Sequence, residues 1–122
     1  MLAMQAQNTE KLENLDRQIR HLQRALAALG PMRPGTLSRQ YRQPQQRQGA
    51  YYQLSYTFQM RSRTEYVRPE EVEPLRRELA EYRRYKRLSA RWVALSLQRS
   101  RLRVRQAREA GVARPARTTS PA

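Results

Sequence analysis

Apolar residues near the start of the chain repeat with the spacing of a coiled-coil helix. The repeat advances by alternating steps of three and four residues, through Leu12, Leu15, Ile19, Leu22, Leu26 and Leu29. This leucine seam predicts a helix over residues 9–30, ended by Gly30 and Pro31, after a flexible segment over residues 1–8. So short a helix is marginally stable alone in water and needs a surface to pack on. The seam is therefore a candidate partner or oligomer interface through Leu12, Leu15, Ile19, Leu22 and Leu26, or it packs on another helix of the same chain.

The middle of the chain alternates in polarity as β-strands do. Strands are predicted over residues 37–42, 51–59 and 63–67, with Tyr52, Leu54, Tyr56 and Phe58 on one face of the central strand. Pro and Gly mark the intervening turns, and residues 31–68 are predicted to form a three-stranded antiparallel sheet. The tyrosines on this face are expected to pack in a core, with base stacking as the alternative.

The last part of the chain predicts a long helix over residues 69–110. Pro69 and the glutamates after it suit a first helical turn, and Pro74 interrupts before the main helix. An apolar stripe is predicted to cover the sheet, through Leu75, Leu79, Tyr82, Leu88, Trp92 and Leu95. Residues 111–122 are predicted to be a disordered tail. The predicted fold class is α+β: a heptad helix, a small antiparallel sheet and a long basic helix.

Charge is concentrated in the sheet and the last helix. The 122-residue chain carries a net charge of +15, and only two of its 25 cations are lysines. Residues 33–68 have a net charge of +6 and residues 76–108 one of +10, whereas residues 1–32 carry only +1. Arginine suits phosphate oxygens and guanine edges, and a helix rich in like charges is favourable beside an anionic surface. These features predict a nucleic-acid-binding protein, with DNA favoured over RNA.

The candidate contacts with nucleic acid combine arginines with two polar residues of the central strand. They are Arg33, Arg39, Arg42, Arg47, Tyr51, Gln53, Arg61, Arg63, Arg83, Arg84, Arg87 and Arg91. Gln53, Thr57 and the strand arginines are suited to base edges if the sheet enters a groove. An arginine-rich surface without a ligand, a helical adaptor with a protein partner or homodimer, and an inhibitor of a nucleic-acid enzyme remain open alternatives.

Residues suited to catalysis are scarce. The chain has no cysteine and a single histidine, His21, which lies beside the leucine seam without an orienting partner. The cluster of Glu70, Glu71 and Glu73 is explained by its place in a first helical turn. The sequence predicts no enzyme activity, no cofactor and no metal site. With no signal peptide or apolar membrane-spanning run, we expect a cytoplasmic protein that does not bind membranes.

Three stretches resemble a family of small uncharacterised bacterial proteins that are often encoded beside transposases and other mobile elements. They are residues 32–41 (MRPGTLSRQY), 49–57 (GAYYQLSYT) and 62–69 (SRTEYVRP), and the likeness extends over about residues 29–95. The resemblance implies an association with a mobile element, as an accessory or regulatory factor, without a mechanism. Members of that family commonly carry a cysteine cluster after the Gln-Tyr pair and His-Gly-Pro before the Tyr-Tyr pair. The corresponding residues 42–50 contain neither Cys nor His, so the metal site that the resemblance suggests is not expected here.

Overall fold

A computed structural model describes residues 2–111. The order is α1 (Leu2–Ala27), β1 (Thr36–Gln43), β2 (Gln48–Phe58), β3 (Arg61–Val67) and α2 (Val72–Glu109), with short 3-10 turns at Pro44–Gln46 and Pro69–Glu71. This order confirms the predicted α+β fold of helix, three-stranded sheet and long helix. Contacts divide the chain into two units, one made of residues 24–90 and the other of the remaining parts of α1 and α2.

The three strands form one antiparallel sheet in the order β1-β2-β3. β1 pairs with β2 from Thr36 opposite Ser55 to Gln43 opposite Gln48, and β3 pairs with β2 from Val67 opposite Tyr52 to Arg61 opposite Phe58. Residues directly opposite one another point to the same face. The register therefore gives the sheet an apolar face centred on Leu54 and an opposite face of mainly short polar side chains.

The core of the sheet unit lies between the Leu54 face and the first turns of α2. Leu54 is fully buried, and it clusters with Val67 from β3 and with Val72, Leu75 and Leu79 from α2. Leu37, Tyr52 and Tyr56 pack around this cluster and are partly buried. A short turn precedes the main helix as predicted, at Pro69–Glu71, but the predicted interruption at Pro74 is wrong. Pro74 lies in the first turn of α2, where a missing N–H costs no helical hydrogen bond, so the helix runs on from Val72 without a break.

The linker between α1 and the sheet is tied to α2 by two hydrogen bonds. The Gly30 N–H donates to Glu81 Oε2 at 2.7 Å, and the Arg33 N–H donates to the Glu78 carbonyl at 3.1 Å. Gly35 follows with a φ of 135°, and a Cβ there would lie 2.9 Å from the Ser55 carbonyl oxygen. Only glycine fits this conformation and this close approach, which explains the Pro-Gly pair before β1.

In the other unit, α1 and α2 run antiparallel and contact each other within the chain. Leu22 and Leu95 are buried and line the same cavity. Asp16 pairs with Arg99, and Asn8 donates a hydrogen bond to Glu109 at 3.3 Å. The leucine seam thus faces α2 of its own chain along this part of the helix.

Three expectations about element limits and burial need correction. α1 begins at Leu2, so residues 2–8 are helical where a flexible segment was predicted. Phe58 is 61% exposed because β2 continues past the part of the sheet that α2 covers. Trp92 is 36% exposed and is not a core residue. Apart from Gly111, the predicted disordered tail lies outside the described residues.

The predicted apolar stripe of α2 is not one stripe. Leu75 and Leu79 are buried against the sheet, whereas Leu95 lines a cavity with Leu22 of α1. At about 3.6 residues per turn, Leu95 falls on the opposite side of α2 from Leu75. The error came from joining apolar residues of two faces into one line, and only the first part of the stripe covers the sheet.

Candidate nucleic-acid interface

A basic cleft lies between the edge strand β1 and α2. It has a volume of about 360 Å³ and is lined by Thr36 and Leu37 from β1 and by Arg76, Leu79 and Arg83 from α2. The cleft thus combines two arginine side chains with two leucine side chains. Guanidinium donors beside such a cleft match the oxygens of a phosphate group.

Helical spacing explains why the arginines of this cleft lie together. Arg76, Arg83 and Arg87 follow at steps of seven and four residues, which places them within about 40° of one another around α2. Arg84 follows Arg83 directly and lies about 100° from it around the helix. Arg83, Arg84 and Arg87 are exposed, and no acidic partner lies within ion-pair distance of them in the described part of the chain. We refer to these four arginines as the basic stripe.

Arg39 and Tyr41 of β1 and Tyr52 of β2 connect a further cation to Arg76 of the cleft. Arg39 stands opposite Tyr52 in the strand register, and the Arg76 guanidinium lies 5.8 Å from the centre of the Tyr52 ring. Arg39 itself lies 5.4 Å from the ring of Tyr41. Contacts with aromatic faces hold both guanidinium groups while leaving their N–H donors available. Arg76 also has a neighbour at 3.8 Å in Glu73, an exposed pair of little energetic weight.

Arg33 has a structural role that its sequence context did not reveal. Its guanidinium donates to Glu65 Oε2 at 2.8 Å and lies 5.0 Å from the centre of the Tyr56 ring. The Tyr56 hydroxyl donates to the other carboxylate oxygen of Glu65, also at 2.8 Å. Because its charge is already compensated, Arg33 is a weaker candidate for phosphate binding than the exposed arginines.

The same network determines the protonation of Glu65. Hydrogen bonds from Arg33 first, and then from Tyr56, hold the pKa of the Glu65 carboxyl below its ordinary value. Both carboxylate oxygens are engaged, so the single acid of the sheet is bound within this network. The remaining arginines of the strands have no other acidic residue in the sheet to pair with.

The strand register separates polar residues that the sequence suggested could act together. Gln53, Thr57 and Tyr51 point to the face away from α2, and Arg39 and Arg63 point to the Leu54 face. The outer face is largely neutral, with hydrogen bonds or short contacts between Ser55 and Thr64 and between Thr57 and Ser62. Arg42 is the cation of this face and lies 5.9 Å from the ring of Tyr51. A single nucleic-acid surface cannot use all of these side chains at once.

The other predicted contact residues lie at separate places. Arg47 follows the 3-10 turn between β1 and β2 in the left-handed conformation. Arg61 and Arg63 lie on β3 near the β2–β3 turn. Arg91 lines a cavity with Leu22 and Leu95 in the unit formed by α1 and α2. Arg76 and Arg83 line the basic cleft, and Arg87 follows on the same side of α2. Arg76 was not among the predicted contacts, although its seven-residue spacing from Arg83 is a sequence signal that could have identified it.

The predicted partner interface on α1 is partly occupied within the chain. Leu22 is buried, and Leu12, Leu15, Ile19 and Leu26 are partly buried. Leu15 lines a groove of about 400 Å³ together with Leu102 of α2 and three cations from the two helices. The intrachain alternative for the seam therefore accounts for much of its apolar surface.

Few of the cations are compensated by acids. Within residues 2–111 the ion pairs are Arg33–Glu65, Arg76–Glu73 and Arg99–Asp16. Among the acids before and within the first turns of α2, Glu73 makes only a long exposed contact with Arg76, Glu81 accepts the Gly30 N–H, and Glu70 and Glu71 are exposed without an ion pair in the described residues. Arg83, Arg84 and Arg87 of the basic stripe have no ion-pair partner in that part of the chain. The surplus of guanidinium groups remains at the surface.

Comparison with known proteins identifies the family but not an activity. A family model described as a domain of unknown function, DUF6788, matches residues 12–77, more than half of the chain. The protein belongs to the DUF6788 family. No curated protein matches the chain, and no solved structure does so either.

The DUF6788 match covers only part of the basic surface. It includes the sheet and ends at Arg77, so Arg39 and Arg76 lie inside it and the later arginines of the basic stripe follow it. Neither helix within residues 2–111 contains an apolar stretch that could span a lipid bilayer. No cluster of three or more metal-ligating side chains occurs in that part of the chain either.

Proposed function

We propose that this DUF6788 protein binds nucleic acid, with duplex DNA favoured over RNA, through the basic cleft and the basic stripe of α2. The observation that carries the proposal is the arrangement of Arg76, Arg83 and Arg87 on one side of α2, where Arg76 and Arg83 line a cleft beside the edge strand β1. The few acids of the chain leave most of its cations without a partner, and bound phosphate groups would compensate them. The expected binding is electrostatic and weakens steeply with salt.

Base recognition would come from side chains next to this surface. Arg39 stands beside the cleft and has the fork of donors that suits guanine in a major groove. The cleft itself is suited to a backbone phosphate, which fixes position without reading sequence. A role as an accessory or regulatory factor of a mobile element fits DNA binding of this kind, and rests on the family resemblance of the three sequence stretches.

The proposal is tested by removing the charge of the cleft and stripe. The triple variant Arg76→Gln, Arg83→Gln, Arg87→Gln is expected to bind duplex DNA at least about tenfold more weakly. The slope of log affinity against log salt should fall by roughly 2–3, because each lost phosphate contact removes about 0.9. Fluorescence anisotropy with a labelled duplex at several salt concentrations measures both quantities.

The matched control removes the same charge elsewhere. The variant Arg17→Gln, Arg20→Gln, Arg24→Gln takes three exposed arginines from α1, and it is expected to change affinity and salt slope much less. Circular dichroism checks that both variants keep their helices. Equal losses in the two variants would show that net charge alone, and not the basic stripe, determines binding.

A further inference from the structure

The β2–β3 hairpin extends beyond the third strand of the sheet. Pairing between β1 and β2 ends where Thr36 stands opposite Ser55. β2 and β3 continue for three more pairs, from Tyr56 opposite Arg63 to Phe58 opposite Arg61. Residues 56–63 therefore form a two-stranded ribbon, which we call the hairpin ribbon. Two-stranded ribbons of DNA-binding proteins lie in either the major or the minor groove of a duplex.

The hairpin ribbon exposes large apolar side chains at its end. Met60 is 98% exposed and Phe58 is 61% exposed. Apolar side chains of this size gain free energy when a partner removes them from water. Arg61 is directly opposite Phe58, and Arg63 is two residues further along the same strand face. The end of the ribbon thus combines apolar side chains with two flanking cations.

The backbone conformation at residues 59 and 60, at the end of the ribbon, favours residue types other than Gln and Met. Gln59 and Met60 have φ values of 51° and 64°, in the left-handed region. A two-residue hairpin turn of this kind prefers Asn-Gly, because other residues are strained there. The chain nevertheless carries a long apolar side chain at the position where glycine would suit the backbone. Retained strain of this kind is typical of a site of function.

We propose that the hairpin ribbon inserts into the minor groove of duplex DNA and that Met60 enters between two base pairs as a wedge. Phe58 would support the wedge on the ribbon face, and Arg61 and Arg63 would contact the phosphates on either side. Apolar wedges on minor-groove proteins partly unstack a base step and bend the duplex in this way. The inference rests on the proposed function, since it names the duplex and the mode of contact.

Charge favours DNA over a protein partner for this tip. Arg61 and Arg63 are exposed, and both carboxylate oxygens of Glu65, the acid of the same strand, already accept hydrogen bonds from Arg33 and Tyr56. An apolar pocket of a protein would have no need of the two cations. Duplex DNA has phosphates that can pair with the two arginines and stacked bases that can bury the apolar side chains, so it matches both parts of the tip.

Base unstacking by the full-length protein tests the proposal. A duplex containing 2-aminopurine at successive positions is titrated with protein, and its fluorescence rises where a neighbouring step is unstacked. Wild-type protein is expected to produce this rise. Met60→Gly removes the wedge and suits the left-handed backbone, so the variant should remain folded, bind no more than about tenfold more weakly and lose most of the fluorescence rise.

A matched variant distinguishes the effect of losing the wedge from the effect of losing any exposed apolar side chain. Met4→Ala removes another exposed methionine, 59% exposed on α1, and is expected to behave as wild type. If wild type binds the duplex without a fluorescence rise, or if Met60→Gly keeps the full rise, the wedge is wrong while DNA binding by the basic stripe stands. If wild type does not bind duplex DNA at all, the proposed function fails and the wedge fails with it.

Discussion

At the scale of single residues, the arginines differ according to whether an acid lies near them. Arg33 has Glu65 and the Tyr56 ring, whereas Arg83 and Arg87 have no ion pair among the described residues. This difference could not be predicted from sequence, because the Arg33–Glu65 pair joins residues 32 positions apart. The abundance of arginine predicted a role for this residue type in binding phosphate, and tertiary contacts decide which arginines have no acidic partner.

The acid sensitivity of the Glu65 network provides a prediction at this scale. Because the pKa of Glu65 is lowered in the folded protein, its contribution to stability is fully present above the ordinary carboxyl pKa of about 4.3. That contribution is lost as the pH falls through the lower, folded value. We expect Glu65→Gln to be less stable than wild type at pH 7, with the difference shrinking in acid. Urea unfolding at a series of pH values measures it.

Glu70→Gln is the control for this effect. Glu70 is exposed and has no ion pair in the described part of the chain, so its replacement should leave stability nearly unchanged across the same pH range. A loss of stability in Glu65→Gln that stays constant from neutral to acid pH would contradict the role of the charged carboxylate.

At the scale of elements, the periodicity of apolar residues predicted the first helix and the three strands. The heptad seam gave α1, and alternation gave the three strands in their order, because both patterns reflect burial on one face. The same spacing did not show which part of the sheet α2 covers. Phe58 continues the alternation of β2 but lies beyond the part that α2 covers, and Leu95 belongs to a second face of α2.

Core packing of the sheet unit gives a prediction at the scale of elements. Leu54 is fully buried between β2 and α2. Leu54→Ala is expected to reduce the free energy of unfolding by about 2–5 kcal/mol, because it leaves a cavity in the cluster. Chemical denaturation followed by circular dichroism measures the change.

Phe58 provides the comparison, because it lies two residues further along the same face of β2. Phe58→Ala should cost no more than about 0.5 kcal/mol, since the side chain is exposed. Similar losses in the two variants would mean that α2 covers more of the sheet than the structure shows.

At the scale of the whole molecule, the net charge of +15 is the dominant property. The net value already counts all ten acids, and within residues 2–111 three ion pairs join acids to arginines, one of them a long surface contact. Uncompensated charge of this size raises the free energy of a compact state and attracts a polyanion. Composition alone predicted this part of the account. The contribution of the fold is to place Arg76, Arg83 and Arg87 on one side of α2, with Arg76 and Arg83 beside β1.

The salt dependence of DNA binding by the wild-type chain tests the central claim most directly. If the exposed arginines contact phosphates, the affinity for a short duplex should fall linearly with salt on logarithmic axes, with a slope of about −3 or steeper. Fluorescence anisotropy across a range of sodium chloride concentrations gives this slope. Absence of binding at low salt, or binding with a slope near zero, would contradict the assignment of the basic surface to nucleic acid.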